Sequence, residues 1–183
     1  MQQTDLASYN NHPYHPGGSG IKRILWFYVN AFIFKTSLFP FSIIKIALLR
    51  MFGASIGQKV VIRHRVNIKY PWLLKVGDNT WLGDGVWIDN LVMVTIGRNV
   101  CLSQATILQT GSHNYKKSSF DLITGNIVLE DGVWIGCGAV VTPGVVAASH
   151  SVLSTGSVAT KNLDAYSVYQ GNPAVKVRQR EIL

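Results

Sequence analysis

The run Thr110-Gly111-Ser112-His113-Asn114-Tyr115 holds the side chain best suited to moving a proton, His113. A neutral imidazole, with an unperturbed pKa of ~6.5, is free to accept a proton near pH 7. Aligned with a weak nucleophile, it takes that proton as the bond to an electrophile forms. The residue type alone also fits an ordinary corner histidine bonded to a backbone carbonyl. His12, His15, His64 and His150 stand outside such a run and read as structural or solvated. Asp89 and Asn90 offer a carboxylate and an amide that would hydrogen-bond a polar ligand, or a hydrogen-bonded turn. Cys101 and Cys137 lack metal-ligand or redox spacing and read as reduced thiols of a cytoplasmic protein. No metal site is expected.

Something must hold these groups in place, and the chain carries a repeat that would do so. From Ile56 an aliphatic residue recurs at every sixth position: Ile56, Ile62, Ile68; then Val76, Leu82, Ile88; then Ile96, Leu102, Leu108; then Leu129, Ile135, Val141; and, more weakly, Ala147, Leu153, Ala159. The next residue is often glycine, as at Gly57, Gly77, Gly83, Gly97 and Gly136, and four residues on comes a small or β-branched one. Helices space apolar residues by three and four, strands by two. A period of six fits a coil with three flat faces, one short strand and one corner per hexad, with glycine serving restrictive backbone angles at the corner. Three hexads make a turn, so about five coils are expected.

The interruptions share one phase. Leu74-Lys75, Val94-Thr95 and the long excursion Asn114–Val128 follow the first, second and third coils, so they should stack on one edge. Insertions gathered on one edge of a solenoid mark its binding side. His113 opens the third of them, Asp89 and Asn90 lie one coil before Gln109, and Asp121 is a candidate to orient the imidazole.

Outside the repeat, residues 1–20 read as a flexible arm, 21–52 as an apolar and basic helical segment, 53–165 as the coil and 166–183 as a tail. No cleavable signal peptide is read in the polar first twenty residues. Lys35, Pro40 and Lys45 break the apolar run, which predicts two short helices split near Pro40 and not a membrane span. Residues 21–50 would either pack on the domain or a neighbouring subunit, or lie in a membrane interface. In the latter case Trp26, Phe27 and Tyr28 would anchor, and Lys22, Arg23, Lys35 and Lys45 would meet lipid phosphate. The 183 residues are 48% hydrophobic and 14% charged, which excludes a disordered chain. The formal charge of +8 arrives without any nucleic-acid-binding signature, so no nucleic-acid partner is expected.

The hexads, together with Thr110–Tyr115, Val133–Val145 and Tyr166–Ala174, resemble the hexapeptide-repeat acyltransferase family across about Gly53 to Arg178. The run Leu48–Ala54 and Trp87-Ile88-Asp89-Asn90 look like its colanic-acid-biosynthesis acetyltransferase branch. The resemblance implies a mainly β fold, a left-handed parallel β-helix, and a homotrimer with active sites between subunits. It implies acetyl-CoA as donor, His113 as catalytic base, and a backbone amide near Gly136-Cys137 that stabilises the developing oxyanion. It also implies coenzyme A contacts from Trp134, Cys137, Ala139, Thr155, Thr160, Lys161 and Arg178, with Lys161 and Arg178 on phosphate. Ala147-Ala148, Gln170 and Asn114 depart from the family pattern. The activity implied is O-acetylation of a sugar hydroxyl in an exopolysaccharide or cell-surface glycan precursor, with Asp89 and Asn90 on the acceptor. The protein would be cytoplasmic, or peripheral at the inner face of the membrane. A non-catalytic β-helix scaffold and an amino-sugar N-acetyltransferase are the other readings.

Overall fold

The computed structural model describes residues 3–183. The hexads wind into a prism with three faces of parallel strands. The first face carries Ser55–Ile56, Leu74–Val76, Val94–Ile96, Ile127–Leu129 and Val146–Ala147. The second carries Val61–Ile62, Trp81–Leu82, Cys101–Leu102, Trp134–Ile135, Val152–Leu153 and Ser167–Gly171, and the third runs from Asn67–Ile68 to Val158–Ala159. The period-six residues stack in register down each face. On the second, Ile62 pairs with Leu82, Leu82 with Leu102, Leu102 with Ile135 and Ile135 with Leu153. All five are buried. Each such side chain contributes roughly 1.5–3 kcal/mol by leaving water, so the ladder is both the core and the register device.

Two features of the coil differ from the expectation. The second face has six parallel rungs, not five, because Leu163 bridges to Ala147 and Ser167–Gly171 pairs with Val152–Leu153. Ala174–Gln179 then folds back antiparallel on that last rung. The glycines that follow the aliphatic residues also serve another purpose. A Cβ on Gly77 would lie 2.6 Å from the carbonyl carbon of Gly97, and one on Gly83 would lie 2.8 Å from the Leu102 carbonyl oxygen. These glycines are needed because the next coil's backbone lies on top of them. The left-handed conformation falls two residues later, at Lys59, Arg65, Asn79, Gly85, Asn99, Ala105, Gly132, Gly138, Gly144, His150 and Gly156, with φ from 53° to 84°.

Two helices, α1 (Gly20–Val29) and α2 (Ser42–Met51), close the N-terminal end of the prism, with a π turn at Asn30–Phe34 between them. Ser19 caps α1 through its side chain, which accepts from the Lys22 N–H. Trp26 is not a lipid anchor. It is buried against Phe34 and Phe52, and its indole N–H donates to the Ile68 carbonyl at 2.8 Å. Lys45 is also buried, and its ammonium donates to the Arg63 carbonyl at 2.6 Å. The inner sides of the cap therefore pack on the first coil, while Phe27 and Tyr28 are exposed. No helix among the described residues is long and apolar enough to cross a membrane. Of residues 1–20, Met1 and Gln2 lie outside the described residues. The remainder does not hang free. The Asp5 N–H donates to the Ser118 carbonyl at 2.8 Å, and the Trp72 indole donates to the Pro16 carbonyl at 2.8 Å.

Candidate active site

The chain passes from the third face back to the first through residues 69–73, then 90–93, then the much longer 110–126. The third makes a hairpin in which Gly111–His113 pairs antiparallel with Leu122–Thr124, His113 opposite Leu122. Asn114 N–H donates to the Asp121 carbonyl at 2.8 Å and Phe120 N–H to the Lys117 carbonyl at 3.1 Å, so the tip is a wound turn. That turn sets Phe120 in a left-handed conformation, φ 53°. Its carbonyl oxygen lies 2.9 Å from His113 Nδ1, and its ring stacks on the imidazole at 4.5 Å and 8°.

This contact fixes the tautomer. A carbonyl only accepts, so Nδ1 carries the proton and Nε2 keeps its lone pair. Asp121, the residue expected to orient the imidazole, is occupied elsewhere, 3.0 Å from the Lys117 ammonium. The serine and lysine hydrogen bonds that Asp121 accepts hold its carboxyl below the usual carboxylate range. Asp121→Asn is therefore expected to leave kcat within about threefold of the parent, because an exposed pair of this kind contributes under ~1 kcal/mol. A larger loss in steady-state assays would show that the carboxylate reaches the imidazole.

His113 lines a cavity of about 390 Å³ with Lys69, Asp89, Gln109, Ser112 and Tyr115. Asp89 and Gln109 are register partners on successive coils. Thr110 locks the two coils together here, donating to the Asp89 carbonyl at 2.9 Å and accepting from Leu91 N–H at 2.8 Å. The Lys69 ammonium is 2.9 Å from Asp89 Oδ1, which leaves a charged, half-buried pair beside the imidazole. The N-terminal segment lies close to these residues. Tyr9 lies against His113 at 5.7 Å, and Tyr14 stands beside Tyr70 and near Asp89. Burial first, then the neighbouring Tyr70, pushes the Tyr14 phenol above its ordinary range, so it stays a neutral hydroxyl.

Asn90 does not join Asp89 in this cavity. It is fully buried, its amide donating to the Tyr70 and Leu73 carbonyls and its oxygen accepting from Tyr70 N–H. It clamps the corner one coil below. Asn90→Ala is expected to lower stability by about 1–3 kcal/mol, the cost of stranding buried backbone groups, with acceptor KM unchanged. Calorimetry and acceptor titration separate the two effects.

The residues expected to contact coenzyme A divide between two edges. Trp134, Thr155 and Arg178 share a groove of about 530 Å³ on the second face, lined also by Ser154 and Gln170. Trp134 is exposed and its indole donates to Ser103 Oγ at 2.9 Å. Cys137, an exposed free thiol, turns the corner beside them. Gly136 and Gly138 N–H groups are committed to coil bonds at 2.8 and 2.9 Å, while the Cys137 N–H has no partner among the described residues. Thr160 and Lys161 are exposed on the other edge, the one that carries His113 two coils earlier. Ala139 faces neither edge. It is fully buried in the core, so its side chain packs the prism and touches no ligand. Sequence reasoning missed Phe120 and Lys69, which line the cavity, and Tyr9, which lies against the imidazole. Among the described residues no group of His, Cys, Asp and Glu has the makings of a metal site.

The parallel β-helix is the architecture of the hexapeptide-repeat acetyltransferases. The chain belongs to the hexapeptide-repeat acetyltransferases, and to their colanic acid biosynthesis branch. It is 39% identical over 176 residues to the colanic acid biosynthesis acetyltransferase WcaF of Escherichia coli (strain K12), covering 96% of this chain and 97% of that one. It is 27% identical to the galactoside O-acetyltransferase of the same organism, over 73% of this chain and 67% of that one. A hexapeptide-repeat acetyltransferase of Vibrio cholerae superposes with a TM-score of 0.79 at 25% identity, over 88% of this chain and 92% of that one. The same protein complexed with acetyl coenzyme A gives a TM-score of 0.81 at 23% identity, over 92% and 94% of the two chains. No family model matches the chain.

Proposed function

We propose that this acetyltransferase moves an acetyl group from acetyl-CoA to a sugar hydroxyl of a surface-polysaccharide precursor, with His113 as general base. The observation that carries the reading is the imidazole itself. Its Nδ1–H is held by the Phe120 carbonyl, and it lines the cavity of Asp89 and Lys69. A sugar hydroxyl is a weak nucleophile because its proton is tightly held. Nε2 takes that proton as the new C–O bond forms, the Phe120 carbonyl on the opposite nitrogen stabilises the resulting imidazolium, and the proton passes to the coenzyme A sulfur as the C–S bond breaks. Asp89 accepts from the acceptor's other hydroxyls, and Lys69 and Gln109 donate to its oxygens.

Acetyl-CoA supplies an acyl group activated as a thioester. The groove beside Trp134 and Thr155 suits its long arm. Gly138 and Gly156 leave open space at the neighbouring corner, and exposed Arg178 offers a planar fork for phosphate. The Cys137 N–H is free to bond the oxygen that becomes negative. That corner and the His113 edge are different edges of one prism, so the reading requires a second copy of the chain beside the first. Donor groove and base then belong to neighbouring subunits, as in a homotrimer. Light scattering is expected to give three chains per particle.

The deciding experiment is acetyl-CoA turnover on purified sugar acceptors, with the product examined by mass spectrometry and mild base. A base-labile ester is expected. A base-stable amide on an amino sugar would overturn the hydroxyl assignment, and absence of coenzyme A binding would return the chain to a scaffold role.

A further inference from the structure

The N-terminal cap shows one side to the coil and a different one to solvent. Along α1 and the π turn, Ile21, Leu25, Tyr28 and Phe32 follow helical spacing and are all more than half exposed. On α2, Ile43 and Met51 are 76% and 70% exposed. Isolated exposed apolar residues need no explanation, but large side chains repeated along helices do.

The charge around them is one-sided. Between Asp5 and Asp78 the chain has no acidic residue and ten basic ones: Lys22, Arg23, Lys35, Lys45, Arg50, Lys59, Arg63, Arg65, Lys69 and Lys75. Lys45 is buried, Arg50 binds the Ile56 and Gly57 carbonyls, and Arg63 and Lys69 face Asp84 and Asp89. Lys35, Lys59 and Arg65 stay exposed on or beside the cap, outside any ion pair among the described residues. Arg65 adjoins the cap directly, its N–H reaching the Thr36 carbonyl at 3.4 Å.

We propose that the outward sides of α1, the π turn and α2 are a docking surface for an anionic lipid bilayer. Apolar side chains would enter the acyl boundary while Lys35, Lys59 and Arg65 meet headgroup phosphate. The charge pattern selects this occupant over a second copy of the chain. Two such caps face to face would set like charges together, and the acidic residues elsewhere are scattered, most of them already engaged. Asp78 accepts from Gln58 N–H, Asp131 from Arg98 N–H and Glu130 from Ser149. A bilayer supplies an apolar layer and a negative surface in the order the cap requires. The proposal does not depend on the transferase reading, since binding is measured without turnover.

Sedimentation with vesicles of phosphatidylcholine and phosphatidylglycerol tests it. The full chain is expected to bind these at least about tenfold more tightly than pure phosphatidylcholine vesicles, with release by salt. Leu25→Glu/Phe32→Glu is expected to abolish binding while solution mass and soluble-acceptor turnover stay as in the parent. Lys35→Glu/Arg65→Glu, which leaves every apolar contact in place, is expected to lower binding to the mixed vesicles at least about tenfold. Failure of the parent to bind anionic vesicles would overturn the proposal, as would unchanged binding by either variant. A fall in solution mass of the Leu25→Glu/Phe32→Glu protein would show that another copy of the chain covers the cap.

Discussion

His113→Ala is expected to lower kcat for acetyl transfer by about 10²–10⁴-fold, the range that a positioned general base supplies. The geometry places the loss in kcat. The imidazole lies on the acceptor side, in the cavity with Asp89, while Trp134, Thr155 and Arg178 lie on a different face. Removing it should leave the KM for acetyl-CoA near the parent value, because an interaction made only as the proton moves lowers kcat without touching ground-state donor binding. The fold should not suffer. His113 ends the first strand of a surface hairpin, and its loss removes one hydrogen bond to Phe120 and the ring contacts with Phe120 and Tyr9, but no rung of the core. Calorimetry therefore accompanies the kinetics. Equal thiol release by the two proteins would remove His113 from the chemistry, and a large rise in donor KM would mean that it binds donor instead.

How far the sequence foretold this site follows from which atoms do the work. Period-six aliphatic residues report themselves as side chains, so Ile62, Leu82 and Leu102 announced the prism, and the shared phase of the insertions announced the edge that carries His113. The group that orients the imidazole is a backbone carbonyl. Any residue at position 120 has one, so no letter marks it, and the nearby carboxylate of Asp121 drew the assignment instead. The helical cap misled in a related way. Composition shows that α1 is apolar with basic flanks, but Trp26 and Lys45 face inward while Phe27 and Lys35 face outward, which depends on how the helices seat on the first coil. The sixth rung was hidden by a step of four residues from Ala159 to Leu163, after which the spacing of six resumes at Tyr169. Asn90 was read for its polarity, yet a buried amide that matches three backbone groups is what a tight corner needs.

The glycines give the most severe test of the prism. Gly77→Ala adds one methyl group, yet it is expected to cost about 3 kcal/mol or more, toward the upper end for overpacking. The added Cβ would lie 2.6 Å from the Gly97 carbonyl carbon and 2.7 Å from both the Gly97 oxygen and the Arg98 nitrogen. All three are backbone atoms, so no rotamer change makes room. Relief requires the second and third coils to part, and their spacing of about 4.8 Å is set by ladder hydrogen bonds. One of them, from Gly77 N–H to the Ile96 carbonyl, is 2.8 Å long at the same residue. The strain cannot be shed downward either, because Gly57 is packed as closely against Gly77 and Asp78. Gly156→Ala is the internal control. Gly156 has φ +67° but open space where its Cβ would point, and Ala105 already occupies the equivalent corner at φ 56°. It should lose only the ~1–2 kcal/mol of a left-handed alanine. For a chain of this length each kcal/mol moves Tm by about 2–4 °C. Gly77→Ala should therefore melt on the order of 10 °C lower, and Gly156→Ala only a few degrees lower. Near-equal losses would mean that backbone angle governs these glycines after all, and that the coils can slide apart at little cost.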